Sequence, residues 1–124
     1  MAKKFEAKDP RGVTIYCEED QWTRHIVNPS TGHPIMEDNV DAIIETITSP
    51  EVIYESHDSL PSLNYREVYC KKSESSTYYF SNAPYTKVVV TTCGGSGEVI
   101  TAYPARNAEG GTKGDAIYRE QNEN

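Results

Sequence analysis

The stretch "TKVVVTTCGGSGEVITAYP", Thr86 to Pro104, carries the reading of the fold. Two runs rich in β-branched residues flank a glycine-rich centre, and such runs form strands while Gly-Gly-Ser-Gly supplies the positive φ of a hairpin turn. In the second run Val99, Thr101 and Tyr103 stand at alternate positions, which places them on one face of a strand. Pro104 lacks an amide hydrogen and stops the ladder there. A strand end that offers two hydroxyls side by side is a candidate site.

Upstream of this hairpin the period stays alternating. "YREVYCKK" (65–72) puts Tyr65, Glu67 and Tyr69 on one face and Arg66, Val68 and Cys70 on the other, and "EVIYE" (51–55) and "STYYFS" (76–81) read as further short strands. Before residue 50 the period is helical. In "MEDNVDAIIETITS" (36–49) the apolar residues Val40, Ile43, Ile44 and Ile47 recur at i, i+3, i+4 and i+7, and Pro50 closes the segment. "EEDQWTRHIV" (18–27) opens with acids that suit a helix N-terminus and spaces Trp22, His25 and Ile26 helically. Between the two helices, "NPSTGHPIM" is a loop, and "VTIYC" (13–17) precedes both as a short strand. Helices followed by consecutive strands predict an α+β domain: two N-terminal helices packed on a four- to five-stranded antiparallel sheet, whose other face is partly open. The expected division is a flexible lead over 1–12, one domain over 13–105, and a glycine-rich, charged, flexible tail over 106–124.

The net charge of −7 argues against a general nucleic-acid binder, but the charge is unevenly spread. Thr14 to Leu60 holds ten acids and one Arg, whereas Pro61 to Arg106 holds three acids and five Lys and Arg. An acidic chain with this pattern can still carry a locally positive face. Three widely spaced cysteines, Cys17, Cys70 and Cys93, form no C-x-x-C pair, so neither a disulfide framework nor a zinc site is expected. Buried thiols in a reducing cytoplasm are the simplest account. Without an apolar run near the roughly 20 residues of a membrane span, no membrane partner is expected, and "MAKKFEAKDPRG" lacks the apolar core of a signal peptide.

Each candidate residue has a plain reading beside a functional one. His25, in "WTRHI", is a packing residue or a proton-transfer group. His33 and His57 lie in loops, where turn hydrogen bonding suffices, and the three histidines show no metal-ligand spacing. Arg66, inside a strand, either pairs with Glu37 or Glu55 or clamps an anion with its guanidinium fork. Thr101 and Tyr103 are good strand formers that could also meet a ligand. Six of nine tyrosines fall between Tyr65 and Tyr103, a pattern that serves packing or base stacking. "GGTKGD" lacks the spacing and following helix of a phosphate loop.

Taken in order, "DQWTRHI", "HP", "VDAIIETITSPEVIYE", "YREVYCKK" and "KVVVTTCGGSGEVITAYPA" resemble the small nuclease domains of barnase–EndoU–colicin–RelE-like type found in phages and mobile elements. The resemblance runs from about Val13 to Ala105. It implies a toxin-like, cofactor-free and metal-independent endoribonuclease that cuts RNA, with tRNA a candidate substrate, by attack of the RNA's own 2′-hydroxyl, and a cognate inhibitor protein as a second partner. It also implies site residues: His25 for proton transfer, Arg66 and Thr101 on the phosphoryl oxygens, and Tyr103 beside Thr101. The alternative is a catalytically inactive protein-interaction module on the same scaffold, because a fold does not fix a function.

Overall fold

The computed structural model describes residues 2–56, 65–72, 84–93, 95–106 and 115–120. Seven strands build one mixed sheet: β1 (Lys3–Lys8), β2 (Thr14–Glu18), β3 (Val52–Ser56), β4 (Tyr65–Lys72), β5 (Tyr85–Cys93), β6 (Ser96–Ala105) and β7 (Ala116–Arg119), in the spatial order β1-β2-β6-β5-β4-β3-β7. β3 to β6 are an antiparallel meander. β2 joins that meander by a parallel pairing with β6, Thr14 opposite Ser96 and Tyr16 opposite Glu98. A parallel neighbour requires a long crossover, and everything from residue 19 to residue 95 provides it. The helical content is small. One α-turn, α1 (Glu19–Gln21), widens into a π-turn over Trp22–Ile26, and a 3₁₀ segment (Pro34–Asp38) leads into α2 (Val40–Thr48).

The architecture therefore differs from two N-terminal helices on a four- to five-stranded antiparallel sheet, and three local causes account for it. "KKFEAK", expected as a flexible lead, has Phe5 and Ala7 at alternate positions and pairs with β2 as a hairpin. Its turn is set by Asp9, whose Oδ1 accepts the amides of Arg11 and Val13, and by Gly12 at φ +85°. At the other end of the chain Ala116–Arg119 adds an edge strand to β3, with Tyr118 opposite Ile53. Between them, Glu18–Val27 yields one α-turn and a π-turn rather than a regular helix. "STYYFS", His57 and most of "GGTKGD" lie outside the described residues.

The sheet buries both faces. On the helical face Ile15, Cys17, Ile53, Tyr69, Val88, Val90, Val99 and Ala102 meet Trp22, Ile26, Met36, Ile43 and Ile47. At about 25 cal/mol per Å² of apolar surface this is the main stabilising cluster. α2 presents Ala42, Ile43, Thr46 and Ile47 to it, as its 3.6-residue period dictates, and Thr46 Oγ1 satisfies itself on the Ala42 carbonyl at 2.7 Å. The opposite face holds Val52, Tyr54, Val68 and Cys70. Burial pushes the thiol of Cys70 up to about 11, and burial with Glu98 and Glu18 nearby pushes that of Cys17 up to about 12.

β6 does not alternate throughout. Val99 pairs with Val90 and Thr101 with Val89, so Ile100 is a one-residue bulge. The bulge returns Val99 and Ala102 to the helical face and sends Thr101 and Tyr103 to the other. The single face expected for Val99, Thr101 and Tyr103 is thus split. Gln21 stabilises the distortion by donating from Nε2 to the Ile100 carbonyl at 2.7 Å.

A polar clasp ties the β1–β2 turn to β4 across the sheet. Arg11, in the β1–β2 turn, donates from Nη2 to Asp9 Oδ2 and Glu67 Oε1, both at 2.7 Å, and to the Tyr69 hydroxyl at 3.0 Å. Tyr69 in turn donates to Asp9 Oδ2 at 2.7 Å. β1 and β4 are four strand intervals apart, about 19 Å in a flat sheet. Direct contact therefore means that the sheet coils around its helical face, in the sense that strand twist favours. Burial alone would raise the Asp9 carboxyl, but hydrogen bonds from Tyr69, the Val13 amide and Arg11 outweigh it and hold the group below its ordinary range. Burial and the Asp9 hydrogen bond keep the Tyr69 phenol protonated far above its usual range.

Candidate active site

The π-turn fixes where His25 stands. Trp22 and Ile26 are buried and anchor the turn, the Trp22 ring meeting Phe5 edge-on at 6.1 Å, while Thr23, Arg24 and His25 face solvent. The wide ring is closed by the Val27 amide on the Trp22 carbonyl at 3.0 Å. The following loop folds straight back. Asn28 Oδ1 accepts the amides of Ser30 and Thr31, Gly32 donates to the Asn28 carbonyl at 2.8 Å, and His33 donates to the Ile26 carbonyl at 2.6 Å. A Cβ at Gly32 would collide with the carbonyl oxygens of His25 and Ile26, so only glycine permits this approach. The backbone at Gly32 and His33 is thereby braced against the carbonyls of His25 and Ile26.

The loop also reaches the sheet. The His33 ring lies 5.4 Å from that of Tyr103, tilted by 36°. Tyr103 and Thr101 are half-buried on the face away from the helices. Across the ladder from Tyr103 stands Lys87, fully buried, whose ammonium burial pushes down from its usual range; Cys70 is its neighbour on the far side. This end of β6 brings the His33 imidazole to the Tyr103 ring, with the Thr101 hydroxyl two residues along the same face, while His25 stands exposed on the π-turn against which the His33 loop folds. Imidazoles transfer protons near neutral pH, their ordinary pKa being about 6.5, and hydroxyls donate to an oxyanion.

Arg66 lies elsewhere. It pairs with Thr91, two residues along β5 from the partner of Thr101 and four from that of Tyr103. With strand and residue spacings of about 4.8 and 3.4 Å, its backbone is about 12 Å from Thr101 and about 17 Å from Tyr103. Side chains stand roughly perpendicular to a sheet, so this separation persists at their tips. The structure thus groups His33 with Tyr103, sets Thr101 on the same face and His25 on the adjoining turn, and leaves Arg66 apart.

His33 was hidden in the sequence because its contact with Tyr103 spans 70 residues and no local pattern encodes it. Only the glycine and proline beside it mark a constrained turn. Compared with protein-family models, with curated proteins and with solved structures, the chain matches none.

Proposed function

We propose that this chain is an endoribonuclease-like domain that cleaves RNA by internal transesterification, with His25 and His33 as its proton-transfer pair. The observation that carries the reading is the contact between His33 and Tyr103 at the end of β6. The His33 loop packs back on the π-turn that carries His25, so two imidazoles lie on neighbouring segments, one proton acceptor and one donor being what the reaction needs. The 2′-oxygen attacks the adjacent phosphorus as one imidazole takes its proton. The P–O2′ bond forms and the P–O5′ bond breaks. The second imidazole protonates the departing 5′-oxygen, leaving a 2′,3′-cyclic phosphate. Thr101 and Tyr103 donate hydrogen bonds to the non-bridging oxygens as charge builds on them. The resemblance to barnase–EndoU–colicin–RelE-like nucleases supports the same chemistry.

The test is cleavage of total tRNA by purified protein in excess EDTA. The wild type is expected to release fragments ending in cyclic phosphate with a bell-shaped pH profile. His25→Ala and His33→Ala should each lose roughly 10²–10⁴-fold in rate, the usual share of an acid–base group. Full activity in His33→Ala would refute the pairing. The net charge of −7 favours a second reading, a non-catalytic module that holds a basic protein. Intact RNA in every lane with folded protein would select that reading.

A further inference from the structure

Among the described residues the Arg66 side chain has no partner, and the register shows why Glu55 is not one. Glu55 pairs with Glu67 on the helical face, whereas Arg66 pairs with Ser56 on the other. Glu37, exposed in the 3₁₀ segment, forms no ion pair with it among the described residues. No ion pair or side-chain hydrogen bond among the described residues uses the guanidinium, and its Nε is shut off from solvent without an acceptor. Guanidinium forks suit phosphate oxygens, and a buried N–H without an acceptor is costly to keep.

The exposure pattern connects Arg66 to the candidate active site. On its face of the sheet Arg66, Thr91, Val89, Thr101 and Tyr103 are all half-buried, while the flanking Val68, Cys70 and Lys87 are buried. By register these five run as one diagonal across β4, β5 and β6. Glu98, beyond Thr91 on β6, adds a negative charge beside the Arg66 end.

We propose that Arg66 holds a second phosphate of the bound RNA, at the far end of this diagonal from the phosphate that reacts. This rests on the ribonuclease reading. With the backbones about 12–17 Å apart and the side chains rising from the sheet rather than lying along it, Arg66 meets a different phosphate from the one held at the Tyr103 end. Arg66 is therefore a substrate-binding residue that requires more than a dinucleotide.

The test uses the full chain and two probes. The first is a fluorescein-labelled 2′-O-methyl oligoribonucleotide, which binds but cannot be cut, titrated by anisotropy at several salt concentrations. Losing one phosphate contact should lower the slope of log K against log salt by about 0.7 in Arg66→Gln and weaken binding by about tenfold or more. Arg66→Lys, which keeps the charge but not the fork, should keep the slope and lose part of the affinity. The second is cleavage: Arg66→Gln should raise KM for the oligonucleotide and leave a dinucleotide substrate unaffected. An unchanged slope, or equal losses on both substrates, would overturn the proposal while leaving the nuclease reading intact. Wild-type protein that neither binds nor cuts RNA, yet captures acidic peptides through Arg66, would overturn both.

Discussion

Replacing Arg11 by alanine removes the centre of the clasp and leaves two carboxylates facing each other. The side chain of Asp9 has no exposure and that of Glu67 only 6%, so neither can recover its lost partner from water. Breaking a buried pair on one side costs about 3–5 kcal/mol. Arg11 keeps 30% of its own side chain exposed, which argues for the lower end, about 3 kcal/mol. For a chain of this size a change of 1 kcal/mol moves Tm by about 4 °C, so Arg11→Ala should melt about 12 °C below the wild type at pH 7. The pH dependence has a definite sign. The Asp9 carboxyl is held below its ordinary value, so its contribution is present above the unfolded carboxylate pKa of about 3.9 and is lost as pH falls through the depressed native value. The gap between wild type and Arg11→Ala should therefore narrow in acid. Circular-dichroism melts from pH 7 to pH 3 read both effects. A shift under about 4 °C, the scale of a solvated surface pair, would refute the view of the clasp as a buried network, as would a gap that does not change with pH.

Three further outcomes are expected. Thr86 is buried with no partner for Oγ1 among the described residues, so Thr86→Val should raise stability by about 1 kcal/mol in urea denaturation; a loss would mean that the hydroxyl is satisfied. Gly32→Ala drives a Cβ into two backbone carbonyls and should displace His33 from Tyr103, which two-dimensional NMR of the histidine rings would detect. Unmoved ring signals would show that the loop yields elsewhere. With thiols raised to about 12 and about 11, Cys17 and Cys70 should react with Ellman's reagent at pH 8 only after unfolding; a Cys93→Ser background isolates them, and prompt labelling of the native protein would contradict their burial.

How much of this was legible in the sequence depended on how local the cause was. The apolar face of α2 followed from the spacing of Val40, Ile43 and Ile47, because packing on a sheet asks nothing more of a helix. The hairpin from Thr86 to Tyr103 was likewise visible in its composition. β1 was masked by three lysines around Phe5, although Asp9-Pro10-Arg11-Gly12 is a turn signal that would have revealed it. The bulge at Ile100 depends on Gln21, far away in the chain, and strict alternation therefore misplaced Val99 relative to Thr101. Of the candidate site, His25, Thr101 and Tyr103 could be named from residue type and order. The nearness of His33 to Tyr103 and the isolation of Arg66 are properties of register, and register over such separations is set by tertiary packing.

The parallel seam between β2 and β6 constrains the order in which the chain can assemble. The meander from β3 to β6 closes short connections between neighbours, whereas Thr14 must find Ser96 across most of the chain. Closing a long loop costs entropy that later contacts must offset, and such pairings form slowly. On the ribosome, β1 and β2 emerge first yet have no sheet to join until β6 has been made. Their hairpin is expected to wait, exposed, and to dock last. Pulsed hydrogen exchange during refolding would show it as amides of β2 gaining protection after those of β4 and β5; simultaneous protection would mean that the seam belongs to the folding nucleus.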